Sequence, residues 1–209
     1  MTDADRIKWD GRYAEPSSGR GAGSASSWLL EHLHRVQPGP ALDVACGMGR
    51  NAIHLARHGF HVDAIDISKV GLHKAAQLAP DTESAVNWLC ADLLSASTGL
   101  ELKIPRRDYQ LIVMCFFVDE GLLDALPYYL APGGWLLVEE HMVWPTPVAG
   151  PHSDRFRVQP GALAASFEGL MAESPEGWKL ELVAQFEGTV ATPEGSLQAL
   201  SRLLVRRVG

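Results

Sequence analysis

The stretch Asp43-Val44-Ala45-Cys46-Gly47-Met48-Gly49-Arg50-Asn51 follows a short apolar run and precedes residues at helical spacing. Two glycines at that junction permit a tight turn and let a ligand approach the backbone. The helix that follows points its free N–H groups at the same spot. A second apolar run ends in Asp66, roughly 20 residues after the glycines, the spacing at which an acid accepts from both hydroxyls of a ribose. A third ends in Cys90-Ala91-Asp92-Leu93, and a fourth in Cys115-Phe116-Phe117. Each feature alone is weak: turns use G-x-G constantly, and Asp66 reads equally well as a surface turn acid. The ordered set of a glycine loop and two acids describes one nucleoside pocket.

The elements that must position these residues alternate. Trp28, Leu29, Leu33 and Val36 fall at helical spacing, with Ser26 or Ser27 near the cap and Pro38-Gly39-Pro40 as the stop. Ala41 to Ala45 is predicted as a strand, Asn51 to His58 as a helix, Phe60 to Ile67 as a strand and Lys69 to Leu78 as a helix. Strands follow at Val86–Ala91 and Tyr109–Phe117, with residues 93–107 as a loop between them. Asp119–Leu130 is helical and broken at Pro127. Pro132-Gly133-Gly134 is a turn before a fifth strand, Trp135–Glu140. Strands and helices alternating at this spacing imply right-handed crossovers and a parallel sheet covered on both faces. Lys179–Phe186 and Leu200–Val208 read as an antiparallel edge pair, with Pro193-Glu194-Gly195 as the turn signal. Residues 1–25 are polar and glycine-rich, an arm or lid, yet they carry Trp9 and Tyr13, so the arm is expected to dock. Residues 26–209 form a single domain, within which 143–160 is a substrate-side loop.

The run Leu42 to Asn51 resembles the first motif of class I S-adenosylmethionine-dependent methyltransferases, with Ala45 where that family usually has its first glycine. Ala64-Ile65-Asp66-Ile67-Ser68 resembles the ribose motif, Ala91-Asp92-Leu93 the adenine site, and Leu130 to Gly134 the turn before strand five. Trp9-Asp10-Gly11-Arg12-Tyr13, the Gly-Arg-Asn ending of the first motif, and Gly150 to Phe156 with Gln159-Pro160-Gly161 are similar to small bacterial tellurite-resistance and thiopurine-type methyltransferases. The resemblance implies an α/β, doubly wound, Rossmann-like fold: a seven-stranded, mostly parallel sheet with an antiparallel edge hairpin. It implies S-adenosylmethionine as cofactor and S-adenosylhomocysteine as product. Cofactor-binding residues would be Asp43, Ala45, Cys46, Gly47, Gly49, Arg50, Asn51, Asp66, Ile67, Ala91, Asp92, Leu93 and Cys115, joined by Trp9, Arg12 and Tyr13 from the arm.

On the acceptor side, His141 suits a general base near neutral pH or a hydrogen-bonded structural histidine. Phe116 and Phe117 leave strand four beside the cofactor: one faces the methyl, or both are core. Trp9 and Tyr13 close over the cofactor or pack on the first helix, and Arg12 reaches the cofactor carboxylate or water. Trp144 belongs to a semi-rigid apolar lid. Arg155 and Arg157 draw in an anionic substrate or are solvated. A thiol or other soft nucleophile needs no strong base, so the missing dyad does not count against methyl transfer by in-line displacement.

The 209 residues, 46% hydrophobic and 21% charged, suffice for one domain with a large core. A formal charge of -7 disfavours a general nucleic-acid or membrane-surface binder. No apolar run reaches the roughly 20 residues that span a bilayer, and the opening residues show no signal peptide. Three cysteines without a C-x-x-C pair suggest reduced thiols and a cytoplasmic location. Cys46, Cys90 and Cys115 end strands on one rim, but with neighbouring strands about 4.8 Å apart they are not expected to converge on a metal. His54 and His58 lack the zinc-motif glutamate. The acceptor is therefore expected to be a small molecule. The alternatives are a catalytically inactive cofactor-binding or protein-interaction module, and a nicotinamide dehydrogenase, which would want a third glycine where Ala52 stands. A base-modifying enzyme is disfavoured, since Cys115-Phe116-Phe117-Val118 offers no polar group to hold a flipped base.

Overall fold

A computed structural model describes residues 3–15, 23–93, 103–192 and 195–209. Seven strands form one sheet: β1 (Pro40–Val44), β2 (His61–Asp66), β3 (Val86–Cys90), β4 (Tyr109–Cys115), β5 (Leu130–His141), β6 (Lys179–Ala191) and β7 (Leu197–Val208). Their order is β3-β2-β1-β4-β5-β7-β6. The first five run parallel, and β7 pairs antiparallel with both β5 and β6. This is the doubly wound, mostly parallel architecture expected from the strand–helix alternation.

Alternation along the central strands separates two cores. Leu42, Val44, Ile112, Met114, Leu136, Val138, Leu203 and Val205 face one side and meet α5 (Glu120–Ala125) and α6 (Ala162–Ala172) through Leu122, Leu123, Leu163 and Phe167. Ala41, Leu111, Val113, Leu137 and Leu204 face the other. They meet α2 (Ser27–His32), α3 (Arg50–Arg57) and α4 (Lys69–Leu78) through Trp28, Leu29, Ala52, Leu55 and Leu72. The Ser26 hydroxyl caps α2 by accepting from the N–H groups of Trp28 and Leu29. Ser68 and Asp119 cap α4 and α5 in the same way. The crossovers leaving β1 and β4 go to opposite faces, so the sheet splits open at the carboxyl ends of these two neighbours.

Four expectations need correction. The arm contains a helix, α1 (Asp3–Ala14), where only a polar arm was read. Residues 162–172 are helical, although no element was predicted there. Pro132-Gly133-Gly134 is not a separate turn: β5 runs through it, with an irregular step where it pairs with Tyr109 and Leu111. The edge hairpin is longer than predicted, since β6 continues to Ala191 and β7 begins at Leu197. Pro193 and Glu194 of the expected turn, and residues 94–102 of the expected loop, lie outside the described residues.

Candidate active site

A cavity of about 380 Å³ opens at the split between β1 and β4, within the range of roughly 300–1,000 Å³ typical of small-molecule sites. Its glycine-loop end is lined by Asp43, Ala45, Cys46, Gly47, Met48, Asn51, Asp66, Ile67, Ala91 and Leu93, and Arg50 reaches from this loop to the other end, its guanidinium 5.0 Å from the Phe116 ring centre. Its aromatic end is lined by Cys115, Phe116, Phe117 and His141, and α1 adds Trp9, Arg12 and Tyr13.

The acids at the glycine-loop end hold the loop. One Asp43 oxygen accepts the Ala52 N–H at 2.9 Å, tying β1 to the first turn of α3. Burial pushes the Asp43 carboxyl up to about 7, against the pull of that bond and of Arg50. The Asn51 side-chain oxygen accepts the Ser26 N–H at 2.9 Å and fixes the start of α2. Asp66 accepts from the Gly47 and Ser68 N–H groups, one on each oxygen, both at 2.8 Å. Burial raises its carboxyl above the usual range despite these bonds. A carboxylate has about four acceptor sites, so each oxygen keeps capacity beyond its N–H.

The two motif glycines are needed for reasons other than ligand approach. Gly49 caps α3 in the left-handed region (φ 75°), and a Cβ there would lie 2.4 Å from the Trp88 ring. A Cβ on Gly47 (φ 57°) would lie 2.6 Å from the Tyr13 hydroxyl. Side chains of the protein itself therefore fill the space that the glycines leave. Ala45, at φ 51°, takes the left-handed conformation without being glycine.

Tyr13 ties α1 to this end. Its ring packs on Gly71 of α4, its carbonyl accepts from Lys74 Nζ, and burial beside Asp66 raises its phenol. Asp10 accepts the Ser68 hydroxyl at 2.5 Å and lies 3.4 Å from the Val70 N–H. Trp9 stacks on Tyr13 at 5.9 Å, and the Arg12 guanidinium lies 5.3 Å from the Trp9 ring centre. Lys8 sits 4.9 Å from the ring of Phe156, so α1 spans from the glycine loop to the 143–160 segment.

The aromatic end stands on a polar base. Phe116 is held at φ 61° and donates its N–H to the Glu139 carbonyl at 2.8 Å. The Phe117 N–H donates to the fully buried Glu140 carboxyl at 3.0 Å, which burial raises well above the usual range, while Glu139 itself pairs with Arg202 at 2.8 Å in the core. The Phe116 ring stacks on His141 at 4.4 Å, and the Arg50 guanidinium lies 5.0 Å from the same ring. Burial, aided by Arg157 and Arg50, lowers His141 to about 4, so the imidazole is neutral near pH 7. The Cys46 thiol is buried and the Cys115 thiol half-buried, and desolvation raises both, which keeps them un-ionised.

Several predicted residues fall elsewhere. Asp92 lies between two lining residues without lining the cavity itself. Gly49 sits behind the wall, and Trp144 and Arg155 lie off the cavity. Arg155 instead covers the Phe156 ring at 4.4 Å. Arg157, considered for anion capture, ties its own segment by donating to the Met142 and Pro151 carbonyls. Met48, Asp10 and Glu140 were not anticipated. Asp10 becomes predictable once Trp9 and Tyr13, four apart, are read as one helix face. The pairing of Glu140 with a backbone N–H just past the end of β4 leaves no local trace. The described residues contain no group of three or more metal-ligating side chains and no helix long and apolar enough to cross a membrane.

Residues 41–134 match the family described as a methyltransferase domain. An uncharacterised protein of Haemophilus influenzae is 27% identical over 136 residues, 59% of this chain and 51% of that one. A ribosomal RNA small subunit methyltransferase C of Alcanivorax borkumensis is 24% identical over 151 residues, 68% and 45% of the two chains. The chain thus spans about half the length of these relatives. Among solved structures, TehB from Haemophilus influenzae superimposes with a TM-score of 0.70 at 17% identity, covering 91% of this chain and 65% of that one. The fold is accordingly that of the Rossmann-like methyltransferases.

Proposed function

We propose that this chain is an S-adenosylmethionine-dependent methyltransferase acting on a small-molecule acceptor in the cavity between β1 and β4. The single observation that carries this reading is Asp66, whose oxygens each accept one backbone N–H and keep acceptor capacity at the cavity wall. That is the chemistry a ribose diol requires, on the strand end beside the glycine loop. The glycine loop and Asp66 would hold the nucleoside, Ala91, Leu93 and Ile67 would flank the base, and Arg12 would meet the amino-acid carboxylate. When bound, the cofactor supplies an electrophilic methyl on a sulfonium.

The rest is done by the protein. It must align a nucleophile and exclude water. Phe116, Phe117 and half-buried Cys115 form an apolar wall at the acceptor end, and α1 with Trp9 and Tyr13 covers the cavity. The formal charge of -7 favours a small acceptor over the RNA substrate named for one relative. Residues 1–25 act as the cover, 26–209 as the methyltransferase domain, and 143–160 as the acceptor-side segment. The test is S-adenosylhomocysteine release across a panel of thiols and oxyanions. Release with one acceptor class, lost in Asp66→Asn, is the expected result; no release with any class would favour the inactive binding module.

A further inference from the structure

The His141 imidazole is fixed on two sides. One face stacks on Phe116, with the planes 24° apart. Its Nδ1–Cε1 edge faces Gly150: a Cβ there would lie 2.9 Å from Nδ1, 3.0 Å from Cε1 and 3.3 Å from Nη2 of Arg157. Nδ1 and the Arg157 guanidinium therefore border the same small volume. Nδ1 is buried and has no hydrogen-bond partner among the described residues. A guanidinium has only N–H donors and a permanent charge. An Nδ1–H would set donor against donor there, whereas a lone pair is compatible with the cation. The ring proton then belongs on Nε2, on the far side of Cε1 from Nδ1, and His141 lines the cavity.

We propose that His141 is a hydrogen-bond donor to the acceptor: its Nε2–H and the Arg50 guanidinium recognise a carboxylate or similar anionic group on the molecule to be methylated. This rests on the methyl-transfer reading and deepens it by naming the acceptor's charge. The surrounding charges agree. Arg50 lines the cavity and forms no salt bridge among the described residues. The nearby acids do not oppose this: Asp66 lies at the glycine-loop end, Asp43 accepts the Ala52 N–H, and Glu139 is paired with Arg202. Glu140, whose one oxygen accepts the Phe117 N–H while the other is buried without a partner among the described residues, is raised by burial well above the usual carboxylate range. The aromatic end thus offers donors and cations beside the apolar wall. An acceptor with one negative charge and an aromatic body would satisfy both.

Two measurements test this. Imidazole nitrogen NMR on the free protein, with His141 assigned by its loss in His141→Gln, reads the tautomer without any cofactor. A neutral Nε2–H ring between about pH 6 and 8 is expected; an Nδ1–H ring, or titration in that window, would overturn the proposal. The second is calorimetry on protein saturated with S-adenosylhomocysteine, using thiosalicylate and its methyl ester, which differ by one charge. Thiosalicylate should bind about tenfold tighter or more. That preference should fall towards unity in Arg50→Met and His141→Phe and be kept in His141→Gln, whose amide places an N–H near the Nε2 position. Equal binding of the two probes by wild type, or a preference untouched by both variants, would overturn it. Failure of wild type to bind S-adenosylhomocysteine would instead bring down the methyl-transfer reading, and with it the anion's identity as an acceptor.

Discussion

The two ends of the cavity hold their polar groups in opposite ways. At the glycine-loop end, Asp43 and Asp66 are buried acids satisfied by backbone N–H groups, and they fix the loop. At the aromatic end, Glu139 and Glu140 lie below the surface, and what faces the cavity is rings, a neutral imidazole and a guanidinium. Each end also carries one non-glycine residue in the left-handed region, Ala45 and Phe116. The first end is built to accept hydrogen bonds and the second to donate them. A nucleoside needs acceptors for its hydroxyls, and the anionic acceptor proposed above would need donors, so the two proposed ligands would divide the cavity by polarity.

The largest effect is expected beneath the aromatic end. Arg202→Met leaves Glu139 buried without its partner and should cost about 3–5 kcal/mol, read from urea unfolding. Loss of less than about 1 kcal/mol would mean that water reaches the pair. At the other end, Gly49→Ala combines a strained φ with a clash against Trp88. It should cost about 2–4 kcal/mol, and a neutral result would show that the loop can shift.

Stability against pH separates Asp43 from His141 by sign. The folded Asp43 carboxyl titrates near 7 rather than 3.8, so between about pH 4 and 7 the folded state keeps a proton that the unfolded chain releases. Its contribution therefore falls as pH rises through that window. The folded His141 titrates near 4 rather than 6.5, so the unfolded chain binds the extra proton and this contribution rises with pH from about 4 to 6.5. Asp43→Asn should make the urea midpoint rise more with pH, and His141→Gln should make it rise less. Equal slopes in both variants and wild type would contradict this account of burial at the two ends. The smallest effect is a gain. Ala45→Gly relieves roughly 1–2 kcal/mol of left-handed strain at an entropic cost of about 0.5–1, a net stabilisation of about 0.5–1 kcal/mol visible as a raised midpoint.

The glycine-loop end was largely legible because its parts are consecutive in the chain and obey strand–turn–helix rules. Asp43, Gly47 and Asp66 lie where the alternation of apolar runs put them. What the pattern hid was non-local or blurred. The span of β6 was underestimated because a register shift between Leu182 and Ala184 flips its alternation midway. The α6 segment ALAASFEGLMA carries Leu163, Phe167, Leu170 and Met171 at helical spacing, but Gly161 at its N-cap gives no side-chain cap to mark the start. In α1, Gly11 and the charged residues obscured the shared face of Trp9 and Tyr13. His141 was found, but its role depends on Arg157 and Gly150, which reach it only through the folded 143–160 segment.

The central claim is a nucleoside cofactor held at Asp66, and calorimetric titration tests it most directly. Wild type should bind S-adenosylmethionine in the micromolar range and not bind NAD. Asp66→Ala, checked for fold by circular dichroism, should bind about 10–100-fold more weakly, as loss of one or two charged hydrogen bonds predicts. No S-adenosylmethionine binding by folded wild type, or equal affinity in the folded variant, would contradict the account.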